Sequence, residues 1–169
     1  MIRNRDNGRD ATGLRADVVA VVTGGSSGTG RQLARALARW GWAIVIVYLD
    51  HQRATEVTVA EILAVGGKAI AVRADLDDDL DVQRLFAESI AVFDRVDVVV
   101  HTTPGRSSLL YRHAARSVRA RGAIVSTPDA DRVPVGVARE FLERGVSVGN
   151  PLPEEVLSFL ETWREQRIG

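Results

Sequence analysis

Residues 18–30 run Val-Val-Ala-Val-Val-Thr-Gly-Gly-Ser-Ser-Gly-Thr-Gly, and no other segment constrains the architecture as tightly. The apolar run Val18–Val22, rich in β-branched side chains, predicts a buried strand. The turn Thr23-Gly24-Gly25-Ser26-Ser27-Gly28-Thr29-Gly30 then opens a stretch, Arg31–Trp40, with apolar residues three and four apart. A buried strand, a glycine-rich turn and a helix N-terminus in that order form a cradle for a pyrophosphate. The glycines let the backbone approach the ligand, and the unpaired N–H groups and helix dipole favour its charge.

The alternation continues along the chain. Strands are expected at Val18–Val22, Ala43–Tyr48, Ala69–Arg73, Val96–His101, Ala123–Ser126 and Val146–Val148. Helices are expected at Arg31–Trp40, Gln52–Val65, Asp81–Phe93, Ser107–Ala120, Pro134–Arg144 and Pro153–Gln166. Gly41, Gly66-Gly67, Gly122 and Gly145 fall where helices should stop. Such βα units predict an α/β, doubly wound, Rossmann-like parallel sheet of about six strands. Its expected order is 3-2-1-4-5-6, with helices on both faces and right-handed crossovers. Residues 1–13 are expected to form a flexible tail, and 14–169 a single dinucleotide-binding domain.

Formal net charge is zero and the arginines are scattered, so nothing argues for nucleic acid or an anionic membrane surface. The absence of cysteine excludes disulfides and thiolate metal sites and fits a cytoplasmic protein. Met1 to Asp17 is polar, with Arg3, Arg5 and Arg9 and no apolar core, unlike a secretory signal. No apolar run approaches the ~20 residues that span a bilayer.

Several motifs occur together between Asp17 and Gly105. Thr23, Gly24, Gly28 and Gly30 fit T-G-x-x-x-G-x-G. A long helix ends Ala-x-Gly-Gly-Lys-Ala over Ala64–Ala69, Ala74-Asp75-Leu76 follows the third strand, and Arg84-Leu85-Phe86 precedes Arg95-Val96-Asp97-Val98-Val99-Val100. Over this half the chain strongly resembles the short-chain dehydrogenase/reductase family. Farther on it departs. His101-Thr102-Thr103-Pro104-Gly105 stands where the family has Asn-Asn-Ala-Gly, and the family's serine position falls near Asp129. The chain has one lysine, Lys68, and two tyrosines, Tyr48 and Tyr111, none with a lysine four residues later. The family's Tyr-x-x-x-Lys pair and its seventh strand are therefore not found.

The resemblance implies NAD or NADP as cofactor and a small carbonyl or alcohol as substrate. It implies cofactor contacts from Thr23, Gly24, Ser26, Ser27, Gly28, Thr29 and Gly30 in the turn, Tyr48 and Asp50 after the second strand, Asp75 and Leu76 after the third, and Thr102 after the fourth. Non-arginine residues at Ser27 and Leu49 tilt the choice towards NAD, with Arg53 also within reach. Asp50 reads equally well as a helix N-cap.

Hydride transfer to a carbonyl needs a proton donor, worth ~10²–10⁴-fold. Substitutes for the missing tyrosine are His101, Tyr111, Ser126 and Asp129. His101 has a suitable ordinary pKa but also suits a structural role at a strand end. Tyr111 has the spacing of a packing residue, and Ser126 that of a strand-end hydroxyl. His51 and His113 suggest no metal site, and Asp77-Asp78-Asp79 suits a helix start. Two functions follow: an oxidoreductase by resemblance, weak or inactive without its acid–base pair, or a non-enzymatic dinucleotide-responsive binding or regulatory partner. A methyltransferase on a similar sheet fits the turn spacing and the Asp75-Leu76 pair poorly. A homodimer is expected through Ser107–Ala120 and Pro134–Arg144, where Val135, Val137, Phe141 and Leu142 exceed one buried face.

Overall fold

The computed structural model describes residues 16–26, 28–105 and 107–168, so the tail expected at 1–13 lies outside the described residues. Six strands form one parallel sheet: β1 (Val19–Thr23), β2 (Ala43–Tyr48), β3 (Lys68–Arg73), β4 (Val98–His101), β5 (Ala123–Ser126) and β6 (Ser147–Gly149). Their spatial order is β3-β2-β1-β4-β5-β6, as expected. Each crossover carries a helix: α1 (Gly28–Arg39), α2 (Gln52–Ala64), α3 (Asp79–Phe93), α4 (Ser108–Ser117) and α5 (Val135–Glu143), with α6 (Val156–Ile168) after β6.

Alternation along the strands builds two cores. Val19 and Val21 point to the layer holding Phe86 and Phe93 of α3, Leu110 and Tyr111 of α4, and Phe141 of α5. Ala20 and Val22 point to the layer holding Leu33 and Leu37 of α1, Ile62 of α2, and Leu160 and Trp163 of α6. β1 is buried throughout, because it pairs with β2 and β4 and is covered on both faces. Among the described residues no helix is long and apolar enough to cross a membrane.

The lower end of the sheet is pinned by a buried carboxylate. Asp97 accepts the Val19 N–H at 2.9 Å and two Arg95 bonds at 2.7 and 2.6 Å, and Arg167 of α6 adds a third cation contact at 3.0 Å. A desolvated carboxylate survives only with such partners. Trp163 of α6 donates its Nε1–H towards the Arg121 and Gly122 carbonyls, both at 3.1 Å.

Several boundaries differ from expectation. α1 begins at Gly28, three residues ahead of Arg31, because the first helical turn lacks intrahelical N–H partners and needs no apolar pattern. α4 stops at Ser117, and Arg121 rather than Gly122 takes the left-handed conformation (φ 63°). The Pro153–Glu155 stretch is a 3₁₀ turn closed by the Leu152 N–H donating to Glu155 at 3.0 Å, ahead of α6. In α5 only Phe141 is buried, whereas Val135 is 88% and Leu142 65% exposed.

Candidate functional site

The site grows from the last residue of β1. After Thr23 the chain turns through Gly24 at φ 66°, and a Cβ there would lie 2.7 Å from Thr102 Oγ1. Only glycine meets both demands. The loop after β4 lies directly on this turn. Thr102 Oγ1 donates to the Thr23 carbonyl at 2.8 Å, while Thr102 N–H and Thr103 Oγ1 both donate to Thr23 Oγ1, each at 3.1 Å. α1 opens at Gly28, with no acidic residue in its first turn and open space where a Gly28 side chain would be. An uncrowded helix N-terminus without carboxylates, behind a turn of glycines, fits the diphosphate of a dinucleotide.

Thr23 also fixes the state of His101. A hydroxyl has two lone pairs and one hydrogen. Both lone pairs of Thr23 Oγ1 accept from the Thr102–Thr103 loop, so its hydrogen is donated to His101 Nδ1, 2.8 Å away. His101 therefore carries its proton on Nε2 and donates it to Ser107 Oγ, whose own hydrogen goes to the Gly105 carbonyl at 3.2 Å. The imidazole is neutral in this chain of bonds. Burial lowers its pKa to about 4, against a smaller opposite pull from Asp131. His101 is 1% exposed, so it holds the β4 loop rather than presenting an acid to solvent.

The other substitutes are placed similarly. Tyr111 is fully buried, stacks edge-on to His101 at 5.9 Å, and donates its hydroxyl to the Asp131 carbonyl at 2.5 Å. Burial raises its pKa to about 12, which makes it a poor proton donor. Ser126 is buried beside Asn150, whose Nδ2 donates to the Ser126 carbonyl at 2.7 Å and lies 3.1 Å from its hydroxyl. Asp129 is exposed on the loop after β5.

The ends of β1, β2, β3 and β4 open into a cleft of about 180 Å³, where Thr23, Tyr48, Asp75, Leu76 and His101 come together. Asp75 Oδ1 accepts the Asp77 N–H at 2.9 Å, and the Asp75 N–H donates to Asp81 at 2.9 Å, fixing the turn after β3. Asp75 Oδ2 has no hydrogen bond among the described residues. Asp78 caps α3 by accepting the Asp81 N–H at 2.9 Å, so the acidic run serves the helix start. The alternative role of Asp50 is not realised: the N-cap of α2 is His51, without a side-chain cap. Asp50 is exposed and does not line the cleft. Ser26 is buried, Thr29, Gly24 and Thr102 are half-buried, Gly30 is buried against the Gly24 backbone, and Ser27 lies outside the described residues. Sequence reasoning missed Thr103, Ser107 and Asn150, whose roles depend on contacts between segments far apart in the chain.

A doubly wound sheet with a glycine cradle at its first turn defines a Rossmann-type nucleotide fold. Residues 18–116 match the profile of the short chain dehydrogenase family, and the chain belongs to the short-chain dehydrogenase/reductase family. It is 41% identical over 102 residues to a 3-oxoacyl-(acyl-carrier-protein) reductase of Synechocystis, covering 60% of this chain and 41% of that protein. It is 41% identical over 85 residues to an uncharacterized oxidoreductase of Methylorubrum extorquens, covering 50% and 34%. The chain thus spans well under half the length of these two relatives. A short chain dehydrogenase of Burkholderia cenocepacia, solved in complex with NADP, superposes with a TM-score of 0.66 at 27% identity, covering 78% of this chain and 72% of that one.

Proposed function

We propose that this protein binds a nicotinamide adenine dinucleotide along the carboxyl edge of its sheet and has little or no dehydrogenase activity of its own. The observation that carries the reading is the fate of the four candidate proton donors. His101, Tyr111 and Ser126 are buried and hydrogen-bonded within the protein, and Asp129 alone is exposed. With three of the four enclosed and Asp129 not among the residues lining the cleft, the ~10²–10⁴-fold contribution of acid–base catalysis is expected to be lost. The bound cofactor would supply a hydride, and the chain would supply only its binding.

A screen of small carbonyls with NADH and NADPH, and of secondary alcohols with the oxidised forms, tests this. Turnover near background is expected. Robust turnover that survives His101→Ala, Tyr111→Phe and Asp129→Ala would overturn both the low activity and the choice of substitutes. The same burial favours the non-enzymatic role, a partner protein whose interface responds to the bound nucleotide.

NAD is the favoured cofactor. Asp75 and Asp77 line the cleft, and no lysine or arginine does among the described residues, so the extra phosphate of NADP would meet carboxylates. Self-association is assigned to the face of α5 that leaves Val135 and Leu142 in solvent. Gel filtration at rising concentration should show a dimer, and a monomer throughout would sink that assignment.

A further inference from the structure

We propose, resting on dinucleotide binding as read above, that the site recognises only the ADP portion of its ligand and leaves the nicotinamide end ungripped. Redox state would then not be read at all.

A dinucleotide on a doubly wound sheet divides between two halves that meet where the strand order reverses, here between β1 and β4. The adenosine half belongs over β3-β2-β1 and the nicotinamide half over β4-β5-β6. The described residues treat these halves differently. The cleft is lined from the ends of β1, β2, β3 and β4 and the loops that follow them, and by nothing from β5, β6 or the loops beyond.

The second half is closed by its own chemistry. A nicotinamide carboxamide and its ribose require exposed donors and acceptors at the ends of β4 and β5. Ser107, Ser126 and Thr127 are each no more than 2% exposed. Polar side chains here are already bonded within the protein: His101 bridges Thr23 and Ser107, Asn150 is bonded to Ser126, and Tyr111 reaches the Asp131 carbonyl. The Thr127 N–H is donated to the His101 carbonyl at 3.0 Å. Opening any of these bonds for a ligand would leave a buried polar group unpaired, which offsets most of what the new contact contributes. The adenosine side has no such competition among the described residues, where Asp75 Oδ2 has no hydrogen bond and Asp75 lines the cleft.

The test is calorimetric titration of the whole folded protein with NAD⁺, NADH, ADP-ribose and nicotinamide mononucleotide, with NADH fluorescence recorded in parallel. NAD⁺, NADH and ADP-ribose should bind with affinities within threefold of one another. Nicotinamide mononucleotide should neither bind nor compete at millimolar concentration, and bound NADH should keep the emission maximum of the free form. NADH or NAD⁺ binding more than threefold more tightly than ADP-ribose, or competition by the mononucleotide, overturns this inference and leaves the dinucleotide reading intact. Failure of all four to bind removes both.

Discussion

The two halves of the sheet's carboxyl edge share one frame and differ in what their polar side chains do. The ends of β1 to β4 open into a cleft where Asp75 Oδ2 has no hydrogen bond among the described residues, whereas around β5 the Tyr111 phenol is bonded to the Asp131 carbonyl and Ser126 to Asn150. Backbone geometry therefore does not make a ligand site. A strand end becomes one only if its polar atoms remain unsatisfied within the protein.

Four perturbations test this contrast. The largest concerns neither half and serves as the control: Asp97→Ala, at the opposite end of β4, strands Arg95, Arg167 and the Val19 N–H. It should cost about 3–5 kcal/mol in urea unfolding while the protein that remains folded binds NADH normally. An affinity loss there would mean that the lower end of the sheet belongs to the site.

Next comes pH. Buried His101 titrates at about 4, whereas an unfolded histidine titrates at ~6.5, so the unfolded chain takes up the proton first as pH falls. This contribution is whole above about pH 6.5 and is lost as pH drops towards 4, amounting to about 3 kcal/mol. Unfolding free energies at pH 7 and pH 4 should therefore fall further for the wild type than for His101→Asn, by about that amount. Equal falls would show that the imidazole is not held neutral.

Gly28→Asp addresses the open half. Space beyond Gly28 is free, and an acid suits a helix N-terminus, so the left-handed φ of 56° should cost only about 1–2 kcal/mol of stability. The added carboxylate would stand where the diphosphate belongs, and NADH affinity should fall at least a hundredfold, about 2.7 kcal/mol. Retained binding would place the nucleotide elsewhere. The smallest effect is expected for Tyr111→Phe. Losing the bond to Asp131 should cost about 1 kcal/mol and leave ADP-ribose affinity unchanged, as calorimetry would reveal.

Much of this was legible in the chain. Val18–Val22 and the glycines after it identify the first βα unit because strand burial and turn conformation are local demands. The strand order follows from repeating that unit. The turn at Asp75-Leu76 is likewise local, fixed by Asp77 and Asp81 within a few residues. Asp50 misled as a cap because helix starts shift by a residue without a strong local signal, and α2 begins one residue later than a cap at Asp50 would require. Val135, Val137, Phe141 and Leu142 read as one apolar excess, yet Phe141 is buried and Val137 packs against the core, and only Val135 and Leu142 stay in solvent.

Residue type and spacing were enough for the sheet, the cradle and the missing tyrosine–lysine pair, since each is written in contiguous segments. They could not say whether His101, Tyr111 and Ser126 face a ligand or one another. That depends on where Thr23, Ser107, Asp131 and Asn150 arrive from segments as far as 78 positions away. A hydrogen bond is satisfied by whichever partner folding brings within about 3 Å, and the chain order alone does not specify that partner.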